Sequence, residues 1–330
     1  MVAYTGSIMN DDVALIAQRL LGTPPLLIDP VAGGGNNRIY RVTTARGTAA
    51  LKGYRVADDD PRDRLGQEWS ALSLIAAHAP DAVPRPLAQD RAAGWAAYEW
   101  IDGERIGARD PGDIDAAIAF LKRLQRLRSE TAAAGLADAS EACLSVGELR
   151  RQIEGRLARF AGQDQLASFL SEIAALAQRL TPREVGPAGD RPLSRGRQIL
   201  SPSDFGFHNA LRRPDGRLAF LDFEYFGWDD PAKLASDIHW HPGMGLTAEE
   251  RRRFARGLAG LFGEDPGYSA RLAVFQPLIG LRWCLILLNE FLPRGLARRR
   301  HAGQAEDAEA ARARQLAKAR ALYSEVAEGL

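Results

Sequence analysis

Apolar residues recur at helical spacing over residues 11–21, with Val13, Ile16, Leu20 and Leu21 on one face, and the turn-forming Gly22-Thr23-Pro24-Pro25 closes the element. Residues 26–31, 38–44 and 48–54 then predict three strands, divided by Gly33-Gly34-Gly35-Asn36-Asn37 and by a turn at Arg46-Gly47. Helical spacing returns over residues 64–78, where Leu65, Leu72, Leu74 and Ile75 form a core face, and residues 82–87 and 94–101 predict two further strands. From Pro111 onward the pattern is mainly helical, over residues 111–128, 148–160, 165–180, 248–262, 268–291 and 306–328. The stretch 181–197, rich in Pro, Gly and Arg, predicts a loop that leads into a strand at 198–200, and Leu218-Ala219-Phe220-Leu221 predicts one more. The order is α+β: a small antiparallel sheet with one main helix, then a larger and mostly helical part.

Length adds a boundary to this picture. With 330 residues the chain is long for a single core and suits two lobes, on a scale of roughly 100 to 200 residues per domain. Residues 1–101 and 102–330 are the expected units, with a cleft between them. The 26% charged and 46% hydrophobic content is that of an ordinary globular protein. A net charge of +1 excludes a general polyanion-binding surface, and the arginine clusters at 251–253 and 298–300 lack the interleaved aromatics of a nucleic-acid site. They read as solvated helix faces. Two cysteines, Cys143 and Cys284, are too few for a disulfide framework or a four-thiolate zinc site and are expected as buried thiols. The first residues carry no basic segment followed by an apolar core, so a cytoplasmic location is expected. The most apolar region, 272–292, contains Gln276, Pro277, Arg282 and Glu290, which favours a buried helix over a membrane span.

Chemistry concentrates in residues 203–222. Asp204 and Asn209 stand five apart in Ser203-Asp204-Phe205-Gly206-Phe207-His208-Asn209, and Asp222 follows thirteen later at the end of the strand 218–221. A loop carboxylate able to accept a hydroxyl proton, a nearby amide oxygen and a second carboxylate at a strand end are the base and two Mg²⁺ ligands of a kinase-type site. Mg²⁺ takes oxygen ligands and keeps several waters, so a few protein oxygens plus nucleotide phosphates complete its shell. Any one of these residues alone would read as a turn or loop cap. Upstream, Gly34, Gly35 and Asn36 sit in a strand-loop-strand setting where backbone amides can approach nucleotide phosphates, and Lys52 lies on the third strand, where a phosphate-contacting lysine belongs. Neither a Walker lysine motif nor a Gly-x-Gly-x-x-Gly dinucleotide fingerprint is present.

The segment 203–222 resembles the catalytic and metal-binding region of the aminoglycoside phosphotransferase and choline kinase family, small-molecule relatives of the protein kinases. Downstream, Asp222-Phe223-Glu224-Tyr225-Phe226-Gly227-Trp228-Asp229-Asp230-Pro231 is similar to that family's aspartate, aromatic, Gly-Trp and Asp-Pro run. The resemblance implies a protein-kinase-like two-lobed fold, ATP and Mg²⁺ as cofactors, and a small-molecule hydroxyl as acceptor, with no nucleic-acid or membrane partner and no implied oligomeric state. It implies that Glu68, sixteen residues after Lys52, is the lysine's partner, and that the backbones of Glu99 and Ile101 form an adenine-binding hinge. It also implies that Asp237 stabilises the larger lobe. One position departs: Pro202 stands two before Asp204, where the family commonly has His.

For the acceptor, Glu224, Trp228, Asp229, Trp240 and Trp283 fall in the region that forms the acceptor pocket in the family, and aromatics with carboxylates suit a cationic amino alcohol or an aminoglycoside-like compound. Tryptophans packed in a core and acidic helix caps are the plainer account of the same residues. His208, His239 and His241 lie nearby, but His239-Trp240-His241 lacks the spacing of a catalytic zinc set, and all three are expected to be structural. Pro202 motivates one competing class, a nucleotide-binding pseudokinase acting through protein interaction. A protein kinase is disfavoured because no Asp-Phe-Gly to Ala-Pro-Glu activation segment is visible.

Overall fold

The computed structural model describes residues 10–31, 37–54, 62–180, 191–293 and 307–330. Helix α1 (Asn10–Leu21) precedes strands β1 (Pro25–Pro30), β2 (Arg38–Thr44) and β3 (Gly47–Gly53), and helix α2 (Arg64–His78) precedes β4 (Pro86–Asp90) and β5 (Trp95–Glu99). The five strands form one antiparallel sheet in the order β1-β2-β3-β5-β4. Period-two alternation divides its side chains between two faces. Val42, Leu51, Trp95 and Ala97 pack against Val13 and Ala17 of α1, whereas Ala96 and Tyr98 join the cluster built on Leu65, Leu72 and Ile75 of α2. Lys52, one residue beyond Leu51, therefore points to the α2 side. Helix α2 begins where the Asp63 carboxylate accepts the Gly66 N–H, which fixes the position of Glu68 half a turn further on.

The fourth strand lies four residues later than its pattern predicts. Ala82 and Val83 are buried, and the Ala82 carbonyl accepts the Phe220 N–H at 2.7 Å, so this segment serves a contact with the larger part of the chain rather than the sheet. Beyond β5 the chain forms β6 (Glu104–Arg105), β7 (Ile199–Ser201), β8 (Ala210–Arg212), β9 (Leu218–Phe220) and β10 (Gly227–Asp229) among its helices. β6, β8 and β9 make a small antiparallel sheet, and β10 pairs with β7.

The larger part is helical: α3 (Asp113–Arg126), α4 (Thr131–Ala134), α5 (Val146–Ala158), α6 (Ala167–Leu180), α7 (Pro231–Trp240), α8 (Ala248–Phe262), α9 (Tyr268–Leu287) and α10 (Ala308–Glu328). The hydrophobic pattern does not announce α7. All of its residues except His239 are buried, so it has no polar face to set a period, and it is started instead by the Asp230 cap with Pro231 in the first turn. Residues 268–291 are long and apolar enough to cross a membrane by composition alone. Here α9 is the central helix of the helical part, packed against α5, α7 and α10, with buried Arg282 along it. One continuous cluster of buried side chains runs from α2 to α10, and within it Phe120 of α3 stacks on Phe220 at 4.5 Å.

Ion pairs lock α7 to α9. Asp237 accepts from Lys233 Nζ at 3.0 Å, Arg282 Nη2 at 2.8 Å and Trp283 Nε1 at 2.9 Å, and Lys233 also meets Asp229 at 2.9 Å. Burial disfavours the Asp237 anion, but Lys233 and Arg282 outweigh it and hold this carboxyl below its ordinary range. Removing one member strands the others without water. Arg282→Met should therefore cost about 3–5 kcal/mol of unfolding free energy. Urea denaturation measures it, and a loss below about 1 kcal/mol would show that the lattice does not hold the helices together.

Candidate functional site

The catalytic-loop candidates are assembled by local chemistry. Past β7, the Ser201 hydroxyl accepts the Ser203 N–H at 3.1 Å, and Ser203 turns through φ 65°, a left-handed conformation that is costly for a residue with a side chain. Phe205 and Phe207 are buried and anchor the loop from both sides of Gly206, Phe205 against Phe220 at 4.9 Å. A Cβ on Gly206 would lie 2.2 Å from Met244 Sδ and 2.8 Å from the His208 ring, so only glycine admits the close approach of these groups. Asp204 projects from this anchored loop.

The hairpin β8–β9 then sets the metal-ligand candidates side by side. Its register pairs Ala210 with Phe220, and the Leu221 N–H bonds the Asn209 carbonyl at 2.8 Å, so the residues flanking the hairpin, Asn209 and Asp222, leave the same end. The Asn209 side-chain amide donates to the Asp204 carbonyl at 3.0 Å, which commits its nitrogen and leaves Oδ1 as an acceptor. Asp222 also adopts a left-handed backbone, φ 64°. Its strain falls at the end of the hairpin, where a functional carboxylate is expected.

Lys52 joins the sheet to this hairpin. Its ammonium lies 2.6 Å from Glu68 Oε2 and 2.7 Å from Asp222 Oδ1. Glu68 is a hub that also accepts the Tyr54 hydroxyl at 2.7 Å and the Phe223 N–H at 3.3 Å, and Tyr54 in turn meets the Tyr98 hydroxyl at 2.6 Å. Burial works against the Lys52 charge, but Asp222, Glu68 and Glu224 outweigh it and raise its pKa well above that of an ordinary lysine. Glu224, 1% exposed, accepts from Asn37 Nδ2 at 2.6 Å and from Arg64 Nη1 at 2.8 Å. Glu68, Asp222 and Glu224 thus gather three carboxylates within 4.8 Å of one another, against the two cations Lys52 and Arg64. Burial, reinforced by Glu224 and Glu68, pushes the Asp222 carboxyl up to about 6 despite the opposing pull of Lys52. The Asp222 carboxylate and the uncommitted Asn209 Oδ1 are oxygen donors of the kind a hard divalent cation takes, so their chemistry suits Mg²⁺.

Two imidazoles, from residues 33 positions apart in the chain, meet at Asp204. His208 Nε2 lies 3.1 Å and His241 Nε2 3.0 Å from the same oxygen, Asp204 Oδ1, and the rings stack with centroids 4.2 Å apart and planes 8° from parallel. Burial opposes the Asp204 anion, but the hydrogen bonds from His208 and His241 prevail and hold its carboxyl well below the usual carboxylate range. His208, four residues beyond Asp204 in the same loop, carried a faint sequence signal. His241 was marked in sequence only as lying near the site and was expected to be structural. His239 instead packs against Trp240, and burial lowers its pKa to about 4.

The remaining sequence candidates divide. Glu99 ends β5, and the buried Ile101 follows it at the proposed hinge. Gly34, Gly35 and Asn36 lie outside the described residues. Of the five acceptor candidates, four are committed elsewhere. Trp228 is buried, donates to the Ala133 carbonyl at 3.0 Å and carries Arg195 over its ring. Asp229 is fully buried beside Lys233, and Trp240 gives its indole N–H to the Gln276 carbonyl at 2.6 Å. Glu224 belongs to the Lys52 end of the site. Packing and ion pairing, rather than an open pocket, occupy these four side chains. Trp283 alone stands by the loop, half-buried, with its ring 4.4 Å from that of His241.

The sequence model described as the phosphotransferase enzyme family matches residues 28–274. No curated protein matches the chain. Among solved structures, the choline kinase LicA from Streptococcus pneumoniae is 15% identical, with a TM-score of 0.60 over 97% of this chain and 100% of that one. A spectinomycin phosphotransferase in complex with ADP and spectinomycin is 14% identical, with a TM-score of 0.63 over 93% and 98% of the two chains. The macrolide 2'-phosphotransferase MphH from Brachybacterium faecium is 19% identical, with a TM-score of 0.58 over 88% and 96%. The fold is thus the two-lobed, protein-kinase-like one of choline kinases and aminoglycoside phosphotransferases.

Because the Asp222 carboxyl sits at about 6, it gains a proton as pH falls through that value, and a proton there competes with a cation. The apparent Mg²⁺ affinity in the presence of ATP should hold from about pH 8 to 7 and then weaken, approaching tenfold per unit below 6. Calorimetric titration across this range checks it; an affinity flat down to about pH 5 would remove Asp222 from the metal site.

Proposed function

The chain belongs to the phosphotransferase enzyme family, and from that premise we propose that it transfers the γ-phosphoryl group of ATP to a hydroxyl group of a small molecule. The observation that carries this reading is the convergence, on one loop and one hairpin, of an ionised Asp204 with Asn209 and Asp222, the latter in contact with the Lys52 ammonium. In the proposed reaction Asp204 orients the acceptor hydroxyl and takes its proton. Its depressed pKa is no obstacle, because in a loose, metaphosphate-like transition state the proton leaves late and positioning dominates the rate. Lys52, held by Glu68 and Tyr54, neutralises phosphate charge. Mg²⁺, held by Asn209 and Asp222, supplies further charge neutralisation when bound. The backbones of Glu99 and Ile101 and the loop containing Gly34, Gly35 and Asn36 complete the proposed nucleotide site, with residues 1–101 as the nucleotide lobe and 102–330 as the acceptor lobe of a cytoplasmic enzyme.

The narrower acceptor reading, a cationic amino alcohol or an aminoglycoside-like compound, is supported by Trp283 and the Asp204 anion, which offer an aromatic face and a negative charge. Structures of similar fold include a choline kinase and a phosphotransferase in complex with spectinomycin. A nucleotide-binding pseudokinase is motivated by Pro202 and by an acceptor pocket that the sequence does not define, and the braced, ionised Asp204 speaks against it.

Transfer of γ-labelled phosphate from Mg²⁺-ATP to pooled amino alcohols, sugars and aminoglycosides tests the proposal. Asp204→Ala should lower turnover by roughly 10²- to 10⁴-fold, the usual share of a general base. Full activity in that variant would contradict the assignment, whereas a wild type that binds Mg²⁺-ATP and phosphorylates nothing in the pool would shift the reading to the pseudokinase.

A further inference from the structure

A loop carboxylate can rotate about two side-chain torsions, and nothing in the backbone of Asp204 decides which oxygen an acceptor would meet. In this structure the choice is made by His208 and His241. We propose that these two stacked imidazoles are positioning residues for Asp204: both donate Nε2–H to Oδ1, which locks the carboxylate rotamer and reserves Oδ2 for the acceptor hydroxyl. The inference rests on the phosphotransferase reading and adds to it a device for aiming the base.

The tautomers follow from the surrounding bonds. His241 Nδ1 accepts the Gly243 backbone N–H at 2.9 Å, so this nitrogen carries a lone pair and the proton of the neutral ring resides on Nε2, directed at Asp204. That arrangement also decides against a metal at Asp204, His208 and His241, although their ligand atoms lie within 4.8 Å of one another. A metal-bound Nε2 needs its lone pair and is normally backed by an Nδ1–H that donates outward; here Nδ1 is the acceptor. Among the described residues His208 Nδ1 is buried without a partner, which is cheaper for a lone pair than for an N–H, and its proton too is thereby assigned to Nε2. Among the described residues no hydrogen bond is made to Asp204 Oδ2.

Packing keeps the pair in place. A Cβ at Gly243 would come within 2.9 Å of the His241 ring and 3.1 Å of His208 Cγ, and one at Gly206 would collide with Met244 and His208, so two glycines clear the space in which the rings stack. On its outer side His241 meets Trp283 edge to face at 4.4 Å, and the Trp283 N–H is tied to Asp237. The aim of Asp204 is therefore linked, through His241 and Trp283, to the ion lattice between α7 and α9.

The test compares His241→Leu, which keeps bulk and removes the donor, with His241→Gln, whose amide nitrogen can stand near the position of Nε2, and repeats both changes at His208. With the same pooled acceptors and Mg²⁺-ATP, each Leu variant should lose roughly 10- to 100-fold in kcat, the span of a charge-assisted hydrogen bond, with KM for ATP within about twofold of wild type. Each Gln variant should recover most of the loss. Leu variants with undiminished kcat, or Gln variants no better than Leu while ATP binding is intact, would overturn the proposal. Two-bond ¹⁵N–¹H spectra of the wild type give a readout that needs no acceptor: both rings should be Nε2–H tautomers when neutral, and an Nδ1–H form of His241 would overturn it equally. A wild type without any transfer would remove the phosphotransferase reading, and the ring spectra would then decide the pair on their own.

Discussion

The ammonium of Lys52 is the joint on which the molecule turns. It comes from the middle of the sheet, meets Glu68 from α2 and Asp222 from the β8–β9 hairpin, and lies almost wholly out of water. A buried cation of this kind persists only if its partners are fixed, because desolvation would otherwise expel the charge. Glu68 is accordingly tied by Tyr54 and by the Phe223 N–H, and that last bond comes from the residue directly after Asp222. Two neighbouring elements, β3 and α2, are thus held at hydrogen-bond distance of a hairpin some 170 residues away in sequence by one charge, and three carboxylates gather around it.

A second set of buried charges supports the first from behind. Asp229, Lys233, Asp237 and Arg282 fasten α7 to α9, while Asp230 caps α7 and pairs with Arg271. Asp230 feels burial first and the neighbouring Arg271 second, and its carboxyl rises to about 6. The run Asp229-Asp230-Pro231, which invites an acceptor-binding account in sequence, is spent on beginning a helix buried at every position but His239. That helix ends at Trp240, so its stability places His241 over the catalytic loop. The two charge clusters therefore act on two ends of the candidate site, one fixing Lys52 beside Asp222 and the other presenting His241 beside Asp204.

Much of the site was legible because its contacts are local. Asp204 and Asn209 are joined by a hydrogen bond five residues long, and Asn209 and Asp222 flank one hairpin, so their intervals are geometric facts of loop and strand. Lys52 and Glu68 lie on adjacent elements and meet as expected. The acceptor side was not legible, since a tryptophan or aspartate has the same identity whether it lines a cleft or fills a core. Trp228, Asp229, Trp240 and Glu224 were decided by burial, and burial is a property of the whole packing arrangement. The fourth strand moved for a similar reason, when Ala82 and Val83 were drawn to Phe220.

The sequence by itself determined most of the order of elements and singled out Asp204, Asn209, Asp222, Lys52 and Glu68 as candidates, because periodicity and spacing act over a few residues. Only the tertiary structure decided which histidines reach Asp204, which carboxylates are neutralised and which tryptophan stays near the loop. His241 lies 37 positions beyond Asp204, and nothing along the intervening chain encodes their meeting except the sum of contacts that seat α7 against α9. Such contacts are set by shape and desolvation in three dimensions, where residues distant in sequence compete for the same partners.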